Sequence, residues 1–222
     1  ESIRPPSLRH HVQVERLQFK KELQSWGLSP KFGDLNAILA NLYAPLNDRR
    51  WLEAQLGAAT SIADLEKILN YEDPGPGGFY DDLGVAGQQP HLVRQKSWEA
   101  DPGFVYSPIE WVDHSPGSDR RHSQMTHALA RYDSPLTMRW EGLDPQASYH
   151  IEVVYRGPFN PQTVCETDDG QLIHPARDNT SARPVRYRIP PSSTRDGVLG
   201  LQWKLANKVR GVSVAEIWLK KD

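Results

Sequence analysis

Two hydrophobic periods divide the chain. From Leu8 to about Leu69 apolar residues recur at helical spacing. Leu8, Val12, Phe19, Leu23 and Trp26 fall on one face, and Gly27 suits a helix stop. Asp34 caps a second helix that turns Leu35, Ile38, Leu39 and Leu42 inward and ends near Pro45. Asp48 opens a third with Trp51, Leu52 and Leu56 before Gly57. Ser61 with Asp64 makes a capping box for a last short helix that turns Leu65, Ile68 and Leu69 inward. Such short helices bury little by themselves, so they are expected to pack on something else.

After Asn70 the period falls to two. Runs at 91–95, 104–112, 136–143, 149–157, 185–190, 198–205 and 212–221 read as strands. Turn signals at Asp133–Ser134–Pro135, Asp168–Asp169–Gly170 and Asp196–Gly197 separate them. Tyr149, Ile151, Val153 and Tyr155 share one face of their strand; Val212, Val214, Glu216 and Trp218 share one face of the last. Many short strands without intervening helices predict a mainly β fold: an antiparallel, jelly-roll-like β-sandwich preceded by a small α-helical segment. The expected division is a helical segment over 1–70, a Gly/Pro-rich acidic junction loop over 71–89 and the sandwich over 90–222.

The junction, "YEDPGPGGFYDDLG" (71–84), is the most unusual stretch. Gly75, Gly77, Gly78 and Gly84 permit positive φ, while Pro74 and Pro76 stiffen their neighbours. Phe79 and Tyr80 are expected to anchor it on the sandwich. Glu72, Asp73, Asp81 and Asp82 are hard oxygen ligands that suit Ca²⁺, and equally suit capping turns.

Composition narrows the chemistry. The 222 residues carry a net charge of −2 with both signs interspersed, which does not suit a nucleic-acid backbone. No apolar run is long enough to span a membrane. The single cysteine, Cys165, excludes an internal disulfide and a cysteine-built zinc site. His114, His122 and His127 lack the spacing of a helical metal pair and read as loop residues. No nucleophile elbow, phosphate loop or paired histidine–glutamate helix motif is present, so no catalytic residue is assigned.

Two stretches carry a family resemblance. "GLDPQASYHIEVVY" (142–155) places Leu143, Pro145 and Tyr149 as L-x-P-x-x-x-Y, with the tyrosine set to bond back to the preceding connection. This resembles the strand opening of fibronectin-like and galactose-binding-like domains. "DGVLGLQWK" and "RGVSVAEIWLKK" resemble the closing strands of galactose-binding-like and malectin-like sandwiches, and "YEDPGPGGFYDDLG" resembles C-terminal segments of large bacterial proteins of that kind. The likeness covers about residues 70–222. It implies a carbohydrate-binding module of a bacterial polysaccharide-degrading protein, secreted or periplasmic, with a polysaccharide or oligosaccharide as partner and a catalytic module of the same parent protein as neighbour. It also implies a structural Ca²⁺ near the first strand, at Glu72, Asp73, Asp81 or Asp82.

Aromatic side chains give the implied function its residues. Trp98 lies in polar "RQKSWEADPG" and Trp111 ends a strand beside Asp113 and His114, so these two, with Tyr106, form the expected sugar-stacking platform. Arg94, Glu99, Asp101 and Asp113 are placed to take hydroxyls. Trp140, Trp203 and Trp218 lie inside alternating strands and are expected in the core. A polysaccharide lyase or glycoside hydrolase, and a structural accessory domain docking through its helices, are the competing readings.

Overall fold

A computed structural model describes residues 49, 51–83, 89–95, 128–131, 133–155, 161–178, 183–207, 209 and 211–222. Ten strands follow in chain order: β1 (Phe79–Asp82), β2 (Ala128–Arg131), β3 (Leu136–Glu141), β4 (Tyr149–Val154), β5 (Thr163–Thr167), β6 (Leu172–Arg177), β7 (Val185–Arg188), β8 (Val198–Leu205), β9 (Gly211–Val214) and β10 (Glu216–Lys221). All pairings are antiparallel. One sheet runs β1-β10-β4-β7, the facing one β3-β8-β5-β6, and β2 pairs with β9. The architecture is an antiparallel β-sandwich with a small helical segment in front.

Alternation built the core. Tyr149, Ile151, Val153 and Tyr155 all point inward to meet Trp140, Leu199, Leu201 and Trp203 of the opposite sheet. Tyr149 pins its corner as its spacing predicts, accepting the Asp144 backbone N–H on its hydroxyl at 2.8 Å. Trp140 and Trp203 are fully enclosed in the core, whereas Trp218, 2% exposed, is buried in a separate cluster with Val154 and Ala215 against Tyr71 and Tyr80.

The structure corrects the expected boundaries in two places. Residues 71–89 are not all loop: Phe79–Asp82 is an edge strand paired with β10, so the sandwich begins before residue 90. Gly78 prepares this pairing, since a side chain there would collide with the carbonyls of Pro74 and Leu219. Gly75 and Gly77 have φ of 79° and 74°. The run 212–221 is likewise not one strand. It breaks at Ala215, and the core-facing set shifts from Val212 and Val214 to Ile217 and Leu219. Glu216 and Trp218 therefore face outward from the sandwich, toward the helical segment.

Of that segment, residues 51–58 are helical and α2 (Ile62–Leu69) follows; the 51–58 helix is α1. Ser61 caps α2 as expected, its hydroxyl accepting the Asp64 N–H at 3.1 Å and donating to the Asp64 carboxylate at 2.8 Å. Of the expected inward face, Ile68 is half-buried, but Leu69 is 78% exposed and Leu65 is exposed too. The helices earlier than residue 49 and the strand over 104–112 lie outside the described residues.

Candidate functional site

One corner of the sandwich gathers residues that the sequence reading assigned to two different sites. Asp81 lies opposite Ile217 in the β1–β10 register and so turns toward the core, fully buried. Its carboxylate accepts the backbone N–H of His91 at 3.1 Å, His91 Nδ1–H at 2.8 Å and the indole N–H of Trp140 at 3.3 Å. Three donors offset the cost of burying that group. The His91 ring stacks over Trp140 with centroids 5.8 Å apart and meets Phe79 edge-on at 4.9 Å.

The chain then extends the second sheet past β3, with Leu92 bridged to Met138 and the Val93 N–H donating to Thr137 at 2.9 Å. Arg94 follows on the surface. Its Nη2 donates to Gln89 Oε1 at 2.6 Å, and the buried Gln89 amide donates to the Leu83 carbonyl at 2.5 Å. An exposed guanidinium is thus tied to the end of β1. Of the predicted sugar contacts, Arg94 is the one described; Trp98, Glu99, Asp101, Tyr106, Trp111 and Asp113 lie outside the described residues, as do His114, His122 and His127.

The four acidic residues of the junction are set to separate tasks. Glu72 is exposed, Asp73 accepts the Gly75 N–H at 2.8 Å as a turn cap, and Asp81 serves the corner above. Asp82 is buried beside Glu216 in the register of β1 and β10. Among the described residues no group of three or more His, Cys, Asp or Glu side chains is placed to hold a metal ion.

A second feature lies on the outer face of the β1-β10-β4-β7 sheet. Buried Glu216 accepts the hydroxyls of Tyr80 at 2.8 Å and Tyr71 at 3.2 Å, and the Trp218 indole donates to the Tyr71 carbonyl at 3.2 Å. Tyr71 meets Trp51 and Trp218 edge-on at 5.2 and 5.5 Å. These rings dock the helical segment on the sandwich, which answers what its short helices pack against. Beside them a groove of about 690 Å³ runs between α2 and the sheet, lined by Ala63, Glu66, Lys67, Asn70, Tyr71, Glu152, Pro184, Trp218 and Lys220. Lys220 Nζ bonds Glu152 at 2.8 Å across its floor.

Inside the sandwich the Trp203 indole donates to the Tyr155 hydroxyl at 2.9 Å, and that hydroxyl meets His174 Nε2 at 2.5 Å. His174 Nδ1 faces the Pro175 carbonyl at 2.8 Å, which fixes the proton there and leaves Nε2 to accept. Burial, with the Arg177 charge adding, holds His174 below its ordinary pKa, and burial pushes the Tyr155 phenol well up. This chain of bonds is interior scaffolding. Neither it nor the Asp81–His91 pair was assigned from sequence: Trp203 and Tyr155 are separated by 48 residues, and Asp81 and His91, though 10 apart, are brought together at Trp140, 59 residues from Asp81.

No protein-family model matches the chain, and no curated protein matches it in sequence. Among solved structures it is similar to Bacteroides uniformis β-glucuronidase 2, at 10% identity and a TM-score of 0.38, over 72% of this chain and 18% of that one. It is also similar to a family 35 carbohydrate-binding module from Clostridium thermocellum, at 15% identity and 0.29, over 41% of this chain and 76% of the module. A family GH115 4-O-methyl-α-glucuronidase with specificity for decorated arabinogalactans matches at 12% identity and 0.33, over 62% of this chain and 18% of the enzyme. The chain thus spans less than a fifth of either enzyme, and likenesses this distant carry no conclusion about ligand or reaction.

Proposed function

We propose that this chain is a non-catalytic carbohydrate-binding sandwich that holds a polysaccharide on rings of the 94–113 stretch. The observation that carries the reading is Arg94, exposed yet fixed through Gln89 and Leu83, directly before the segment that holds Trp98, Tyr106 and Trp111. A preset cation orients a hydroxyl-rich ligand, whereas stacking alone would leave it free to slide. Burial of Trp140, Trp203 and Trp218 supports assigning the stacking to Trp98 and Trp111. Glu99, Asp101 and Asp113 supply further hydroxyl contacts, and a catalytic module of one exported parent protein is the expected neighbour. A glycan array run beside lyase and hydrolase assays on the same sample tests this. Binding without turnover is expected; turnover of a bound glycan would give the chain to the enzymes.

One observation favours a second reading, an accessory domain that docks by its helices. Leu52, Leu56, Ile62, Leu65 and Leu69 form an exposed apolar set on α1 and α2. Substituting Ile62 and Leu69 by Ser would then weaken association with a catalytic module while leaving glycan retention unchanged.

A further inference from the structure

From the orientation of α2 we infer a second binding site: the groove between α2 and the outer sheet face takes a short, uncharged oligosaccharide. The lining residues of the helix are Ala63, Glu66, Lys67 and Asn70, spaced i, i+3, i+4, i+7, which is one helical face. That face is polar. A helix packed for stability would turn Leu65 and Leu69 toward the sheet, but those residues are exposed on the other side. What holds α2 over the sheet is instead its C-terminal neighbour Tyr71, wedged between Trp51 and Trp218 and bonded to Glu216. The aromatic hinge keeps a polar helical face and a polar strip of sheet apart, with about 690 Å³ between them.

The chemistry of the walls selects the ligand class. Glu66 accepts, Lys67 donates and the Asn70 amide does both, beside the Lys220–Glu152 pair bonded at 2.8 Å, which matches hydroxyls that are at once donors and acceptors. Two carboxylates against two ammonium groups sum to no net charge, so neither a polyanion nor a polycation is favoured. Ala63, Pro184 and the edge of Tyr71 offer apolar surface to sugar C–H faces. Ala63 to Asn70 spans about 10 Å at the helical rise of about 1.5 Å per residue, a length for a short chain rather than a single ring. This site does not depend on the 94–113 platform.

Trp218 lines the groove, and its indole N–H, bonded to the Tyr71 carbonyl at 3.2 Å, reports on it locally. In the full-length ¹⁵N-labelled chain, its signal, assigned through Trp218→Phe, is followed during titration with cellohexaose, xylohexaose, mannohexaose, a galacturonate hexamer and a strand-forming Thr/Val decapeptide. At least one neutral hexasaccharide is expected to shift it saturably, more tightly than the galacturonate hexamer. Glu66→Ala with Lys67→Ala, both exposed helix positions, should weaken that binding about tenfold at an unchanged melting temperature. The inference is overturned if no neutral hexasaccharide moves the signal, if the double variant responds like the parent, or if the decapeptide alone moves it by pairing with β7.

Discussion

Asp81 shows how far one residue's neighbours decide its meaning. Read locally it is one of four clustered carboxylates; in the fold it accepts three hydrogen bonds from His91 and Trp140 inside the sandwich. Asp81→Ala should therefore cost several kcal/mol, of order 1–3 for each donor left unpaired, in urea unfolding. The loss is expected to be equal in Ca²⁺ and in chelator. A wild-type melting temperature that rises with Ca²⁺, while the variant's does not, would make Asp81 an ion ligand instead.

His174 gives a pH dependence with a definite sign. The folded state holds it neutral, accepting from Tyr155, with its pKa lowered from 6.5. Below pH 6.5 the unfolded chain takes up a proton that the folded one resists, so stability present above that pH is lost as pH falls. Urea melts from pH 7.5 to 5 should show a decline that is shallower in His174→Gln. An identical slope in both would remove His174 as its cause.

At the scale of elements, caps and corners were the most legible features. Ser61 with Asp64, and Tyr149 four residues after Pro145, each rest on short-range spacing that any packing must respect. Ser61→Ala should cost about 1 kcal/mol of stability in a thermal melt. Tyr149→Phe should cost about 1 kcal/mol through the stranded Asp144 N–H. Strands β4, β7 and β8 were legible because their alternation is clean. β5 and β6 were not: β5, between β8 and β6, buries Thr163, Cys165 and Thr167 rather than large apolar residues, and Pro175 interrupts the edge strand β6, of which only His174 is buried. β1 was hidden because Asp81 occupies the core-facing place where a hydrophobic residue was expected. The parity change at Ala215 has no sharp sequence marker, since the face of Val212 and Val214 runs on to Trp218 and the other to Ile217 and Leu219, so each carries large apolar residues.

For the whole molecule, sandwich plus helical front followed from two periods, but the docking between them did not. That docking depends on Tyr71, Trp51 and Trp218 meeting across 147 residues, and on Glu216 turning outward after the break at Ala215. The same scale separates a ring that holds the fold from one that holds a ligand. Trp140→Ala or Trp203→Ala should cost about 3–5 kcal/mol of folding stability. The decisive measurement is the affinity of Trp98→Ala for the polysaccharide the array selects, by calorimetry, with the melting temperature taken on the same sample. The account predicts binding weakened about fivefold or more, on the order of 1 kcal/mol for a lost stacking ring, at a nearly unchanged melting temperature. Unchanged binding, or a variant that unfolds, would contradict it.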